Sequence, residues 1–206
     1  MTAAAPDGSG QARGRPRDPR TDAAIMAAAR RLLTEVGYDQ VSMESIARAA
    51  GVSRPTVYRR WPSKAHVVFE AAFGTAGSTA LAASTGDFET DLREFARGAV
   101  QFWREPVVAA AAMGILADRR RDPALQIRTQ QLLDDKIRAE LAALIRAGVA
   151  HGVVRPDVDT DLLFDTLVGT AFYGALVDGR NADQLADKLC SLMLQGVRPR
   201  QDREPR

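Results

Sequence analysis

The chain has little of what catalysis or cofactor binding usually requires. One cysteine, Cys190, stands among 206 residues. It excludes an intramolecular disulfide framework and, with no second thiol or histidine beside it, a metal site; buried packing is the role it suggests, a redox sensor being the alternative. Only two histidines, His66 and His151, are available as imidazole bases, and neither belongs to a recognisable constellation; His151 precedes Gly152 at an expected helix end. No supported carboxylate pair, phosphate-cradling glycine loop or His/Cys metal spacing occurs. These absences argue against an enzyme and against a bound cofactor. No apolar run is long enough to cross a bilayer, and the opening MTAAAPDGSGQARGRPRDPR lacks an apolar signal core, so a cytoplasmic protein with no membrane partner is expected. Nothing alternates with period two over a useful length, which leaves an all-α architecture.

Lysine is also scarce, with Lys64, Lys136 and Lys188 the only three among 28 basic residues. Arginine is thus the default cation, and a single arginine says little. The distribution says more. Residues 1 to 64 hold 11 basic and 6 acidic residues, whereas the remainder holds 17 and 20. A net charge of only +2 therefore conceals a positive end suited to a polyanion.

What is present at that end is residues 41 to 64, VSMESIARAAGVSRPTVYRRWPSK. Met43, Ile46, Ala47 and Ala50 share one helical face, with Ser42 placed to cap it. Gly51 tolerates the positive φ that ends such a helix. Ser53 then offers a hydroxyl to the next helix, with Pro55 in its permissive first turn. With Val52 and Val57 inward, Arg54, Thr56, Tyr58 and Arg59 lie on or near the outer face of that second helix. They supply donors, a methyl group and positive charge for base edges and phosphates. This is the pattern of a helix-turn-helix. Pro62-Ser63-Lys64 carries a second capping signal and opens another helix with a cation near its start, a placement that a neighbouring phosphate would favour. Trp61, just before that turn, is read as core.

The stretch resembles the DNA-binding domain of the tetracycline-repressor (TetR) family, from an upstream amphipathic helix (Ile25, Ala28, Ala29, Leu32, Leu33, Val36, ending at Gly37-Tyr38) through IARAAGVSRPTVYRRWPSK. The resemblance implies a recognition helix over Ser53 to Arg60 and phosphate contacts from Ser42, Tyr58 and Lys64. It also implies a double-stranded, pseudo-palindromic operator. Packing is the alternative role for Tyr58, and capping alone for Ser42. Arg13, Arg15 and Arg17, spaced by Gly14 and Pro16, resemble minor-groove hooks, the alternative being a solvated tail.

Further helices are expected from about Ser63 towards Ser84, Asp87 to Arg104, Pro106 to Ala117, Pro123 to Ala150, Asp157 to Val177 and Asn181 to Gly196. The sequence divides into a flexible basic arm (1–18), a helix-turn-helix domain with the start of a linking helix (19–79, motif about 42–61), a helical bundle (80–197) to which the family resemblance assigns effector binding and dimerisation, and a disordered tail (198–206). Residues 123 to 196 resemble, more loosely, one of the family's C-terminal domain types. That implies a small-molecule effector inside the bundle and a homodimer through the last two helices.

An effector site is nominated at Phe102, Trp103, Met113, Leu116, Leu133, Ile137, Phe164 and Leu167, which would suit a largely apolar ligand; plain core is the alternative for each. Leu162, Leu163, Phe164, Leu167, Val168, Phe172, Tyr173 and Leu176 make the helix near 157–177 apolar nearly all round, so it needs partners on more than one side. A dimer interface is accordingly expected at Gly169, Phe172, Tyr173, Leu185, Leu189, Leu192 and Met193. The functional reading is a sequence-specific regulator, a repressor released by its effector. An activator or an effector-independent DNA-binding regulator shares these features, and an interaction adaptor on the same fold is the distant alternative.

Overall fold

A computed structural model describes residues 18–74, 85–177 and 181–198. Its described elements are helices: α1 (Pro19–Gln40), α2 (Met43–Ala49), α3 (Arg54–Tyr58), α4 (Lys64–Phe73), α5 (Phe88–Arg104), α6 (Pro106–Arg119), α7 (Pro123–Thr129), α8 (Lys136–Ala150), α9 (Thr160–Leu176) and α10 (Ala182–Val197), with a π-helical segment, Gln130–Asp135, joining α7 to α8. Most begin where a short polar side chain can satisfy otherwise unpaired amides. Asp18 accepts from the Arg20 N–H, Asp87 from Thr90, Asp122 from Ala124 and Leu125, Asp159 from Leu162, and Asn181 from Gln184. Each such cap contributes on the order of 0.5–2 kcal/mol. Pro19, Pro106 and Pro123 occupy first turns, where a missing N–H costs nothing.

The chain turns where the sequence placed its breaks. Gly37, at φ 75°, interrupts α1 and swings Tyr38 inward, and Gly152, at φ 71°, follows α8 with His151 as its C-cap. Two expectations change. The helix expected from Ser63 towards Ser84 is Lys64–Phe73, closing on Gly74, and the rest of that span lies outside the described residues. The continuous helix expected from Pro123 to Ala150 contains the π-helical turn.

Two large apolar clusters form the interior. The first joins Ile25, Ala29 and Leu33 of α1, Ile46 and Val57 of the helix-turn-helix, Trp61, and Val67, Val68 and Phe69 of α4. It continues through Val107, Val108, Ala111 and Ile115 of α6 and Leu125 of α7. The core of the N-terminal unit is thus completed by residues well beyond position 79. The second cluster unites α5 (Leu92, Phe95, Ala96), α8 (Leu141, Ile145), α9 (Phe164, Leu167) and α10 (Leu189, Cys190, Met193, Leu194). Cys190 is fully covered there, and burial pushes its thiol pKa above the ordinary value, consistent with packing. An aromatic series bridges the halves: Phe73 stacks on Phe69 (5.4 Å) and meets Phe102 (6.0 Å), while Trp103 lies edge-on to Phe102 and to Phe172 of α9 (5.1 Å each).

Candidate nucleic-acid interface

The helix-turn-helix is built by reciprocal hydroxyl capping. The Ser45 N–H donates to Ser42 Oγ (3.0 Å) and the Ser42 N–H donates to Ser45 Oγ (2.9 Å), which closes a capping box on α2. Gly51, at φ 67°, makes the turn, and the Val52 N–H donates back to the Ala47 carbonyl (3.0 Å). Ser53 then caps α3, accepting from the Thr56 N–H (3.3 Å), and its Oγ lies 2.8 Å from Thr56 Oγ1. Val57, with no exposed surface, anchors this short helix in the first core cluster.

That anchor fixes what faces outward. Ser53, Arg54, Pro55, Tyr58 and Arg59 are exposed and Thr56 is half-buried, so the nominated recognition residues form one polar and cationic surface; Tyr58 keeps 46% of its area accessible. Ser42 is exposed at the start of α2 beside it. Arg54 is not isolated: Glu44 lies 3.9 Å from its Nη1 and 3.6 Å from Arg48 Nη2, all three on the surface. An exposed pair of this kind contributes about 0–1 kcal/mol, so a stronger partner can displace it.

The second arginine of Arg59-Arg60 goes elsewhere. Arg60 is nearly buried, forms a close ion pair with Asp22 of α1, and donates from Nη1 to the Thr56 carbonyl (3.2 Å). Trp61 is buried, as expected, and its Nε1–H donates to Glu70 Oε2 (3.0 Å), which also receives Arg128 Nη2 of α7 (2.8 Å). Arg60 therefore ties the end of α3 to Asp22 of α1, and Glu70 links Trp61 to Arg128 of α7. The sequence signal for Arg60 was its spacing from Val57, since residues three apart share a helical face.

Lys64 is half-buried at the start of α4. Its Nζ donates to the Tyr38 carbonyl (3.0 Å) and sits 4.2 Å from the Tyr38 ring centroid. Ser63 precedes it without capping α4; its hydroxyl is 2.9 Å from His66 Nδ1 instead. His66 itself is buried, with Asp122 Oδ2 3.7 Å away. Arg13, Arg15 and Arg17 lie outside the described residues.

The residues nominated for an effector do not share one surrounding. Phe102, Trp103 and Leu133 pack on the first cluster, Phe164 and Leu167 are buried in the second, and Ile137 packs against it. Met113 and Leu116 face outward instead, at 59% and 42% exposure, because α6 turns Val107, Val108, Ala111 and Ile115 to the core. The dimer nominees divide similarly. Leu185, Leu189 and Met193 are buried within the subunit's own core, against α5 and α9, and Phe172 is half-buried on Trp103. Gly169, Tyr173 and Leu192 are exposed. The physical reason is that α10 buries one side of its apolar stripe beneath α5, leaving Leu192 on the other.

Comparison with known proteins agrees with this geometry. Residues 25–71 match the family model described as bacterial regulatory proteins, tetR family, and residues 82–192 match the tetracyclin repressor-like C-terminal domain. The chain is similar to an uncharacterised HTH-type transcriptional regulator, YdeS, of Bacillus subtilis, at 32% identity over 81% of this chain and 84% of the relative. It is also similar to a DNA-binding transcriptional repressor, TetR, of Mycobacteroides abscessus, at 32% identity over 76% of this chain and 89% of the relative. Among solved structures it resembles the TetR family transcription regulator SCO0332, with a TM-score of 0.67 and 28% identity, covering 87% of this chain and all of that one.

Proposed function

Because the chain belongs to the TetR family of DNA-binding transcriptional regulators, and family and relatives are regulators rather than enzymes, we propose that it is a repressor that binds a pseudo-palindromic operator as a homodimer. The observation that carries this reading is the outward surface of α3: Arg54, Tyr58 and Arg59 exposed over a Val57 anchor, with a capped turn fixing their direction. Arg54, Thr56 and Arg59 read base edges, Ser53 and Pro55 lie at the groove, and Ser42, Tyr58 and Lys64 hold phosphates. The basic arm, through Arg13, Arg15 and Arg17, enters a flanking minor groove. A largely apolar small molecule binding near the half-buried Phe102, Trp103 and Leu133, which pack on the first cluster, releases the operator by favouring a conformation with different half-site spacing.

The test is selection of duplexes from a random-sequence pool, followed by binding of the recovered duplex across a salt series. A two-fold-related consensus is expected, with Lys64→Ala lowering the slope of log K against log salt by about 0.9 for each phosphate it no longer neutralises. Failure to enrich a symmetric sequence sinks the operator reading. An effector-independent regulator is the second reading, supported by the continuous ring contacts from Phe69 to Phe172, which join the two halves directly. Reporter assays with and without candidate apolar ligands separate the two.

A further inference from the structure

Tyr38 lies at the meeting point of three elements that are remote in sequence. Its ring and carbonyl hold the Lys64 ammonium at the start of α4. Its hydroxyl donates to Asp118 Oδ2 of α6, 80 residues away. The ring also lies against α6 so closely that a Cβ at Gly114 would collide with ring carbons Cγ, Cδ1 and Cε1. Gly114 is therefore glycine for want of space rather than for backbone freedom. Burial and the Asp118 carboxylate both raise the phenol pKa far above its ordinary value, so the hydroxyl stays a donor.

A lysine is a flexible point charge, and its position is normally set only by what it touches. Here what it touches is set by α6. The Tyr38 carbonyl uses one of three ammonium donors and leaves others for a phosphate. We propose that Gly114 and Asp118 of α6 are positioning residues which, through Tyr38, hold the Lys64 ammonium where it clamps the DNA backbone, so that backbone affinity is set from outside the helix-turn-helix. This rests on the reading of Lys64 as a phosphate clamp.

The experiment uses full-length protein and the duplex recovered from the random pool, with binding measured across a salt series for Gly114→Ala, Asp118→Ala, Tyr38→Phe and Lys64→Ala. Melting curves identify the variants that remain folded. Asp118→Ala and Tyr38→Phe, each of which removes one partner of the hydroxyl–carboxylate hydrogen bond, carry the test if Gly114→Ala does not fold. An inactive fraction changes the amplitude of binding, not its salt dependence. The expected result is that Gly114→Ala, Asp118→Ala and Tyr38→Phe weaken specific and scrambled duplexes by the same factor. Their salt slope should fall towards that of Lys64→Ala, about 0.9 lower for each phosphate set free, with no further fall when any of them is combined with Lys64→Ala. A wild-type slope in the folded variants of Gly114, Asp118 and Tyr38, beside a reduced slope in Lys64→Ala, overturns the positioning role and leaves the clamp standing. A wild-type slope in Lys64→Ala itself overturns the clamp reading and the proposal with it.

Discussion

The recognition helix and the last two helices present opposite kinds of surface. Around α3 the apolar residues are turned in and the outward side carries Arg54, Tyr58 and Arg59; along α9 and α10 the subunit's core is already filled, yet Tyr173 and Leu192 remain 53% and 64% exposed, with Leu162 and Val177 also uncovered. A cationic, hydrated surface suits a polyanion and weakens as salt rises. An apolar surface of that kind suits a second copy of the chain and tolerates salt. The two ends therefore differ in which solvent condition should dissect them.

The sharpest way to break the contrast is to put charge on the apolar side. The pair Tyr173→Glu and Leu192→Glu should leave the subunit folded but monomeric, since both positions are solvent-exposed within it. Operator affinity should fall by at least about a hundredfold, because two carboxylates buried in an interface cost several kcal/mol. Sedimentation and operator titration of the double variant check this; a dimer with unchanged affinity would refute the interface. Leu189→Ala, one turn from Leu192 but buried in the second cluster, should act on folding instead. A loss of about 2–5 kcal/mol is expected in urea unfolding, with any surviving folded protein still dimeric.

On the polar side the effects are smaller and local. Arg54→Ala should relax preference at one base pair per half-site by about 1–3 kcal/mol if the guanidinium pairs with guanine in bidentate fashion. Competition binding with single-base variants of the operator reads this directly, and equal losses on every variant would assign Arg54 to the backbone. The smallest effect concerns Asp134 in the π-helical segment. Desolvation raises its carboxyl pKa above the ordinary value, against the opposing pull of Arg119. The native state then binds the proton more tightly than the unfolded chain, so this contribution to stability is full below the ordinary carboxylate range and is lost as pH rises through the raised value. Asp134→Asn should flatten melting temperature against pH in that mildly acidic window.

Local chemistry made the helix-turn-helix legible. Ser42, Gly51, Ser53 and Val57 each do what their positions dictate, because caps and turns depend on neighbours in sequence. The Tyr38, Lys64 and Asp118 arrangement was not legible, since no local pattern reports an interaction across so long a separation. Leu189 and Leu192 show a different limit. Both belong to one apolar stripe, and composition alone cannot say which side the subunit covers and which it leaves for a partner. The π-helical turn did leave a signal. Leu125, Thr129, Leu133, Ile137, Leu141 and Ile145 recur at every fourth position, whereas a regular α-helix drifts by about 40° at each such step. A wider turn over Gln130–Asp135 offsets the drift and keeps these side chains facing inward.

The first apolar cluster has a consequence for exchanging parts between relatives. Since α6 and Leu125 complete the core beneath the recognition helix, a chimera joined after α4 would set one protein's headpiece on another's foundation, with mismatched volumes at Val107, Val108, Ala111 and Ile115. A splice that carries these positions together with Gly114 and Asp118 transfers the headpiece with its seat. In this chain the portable unit is thus discontinuous, and the segment between α4 and α5 is a poor place to cut.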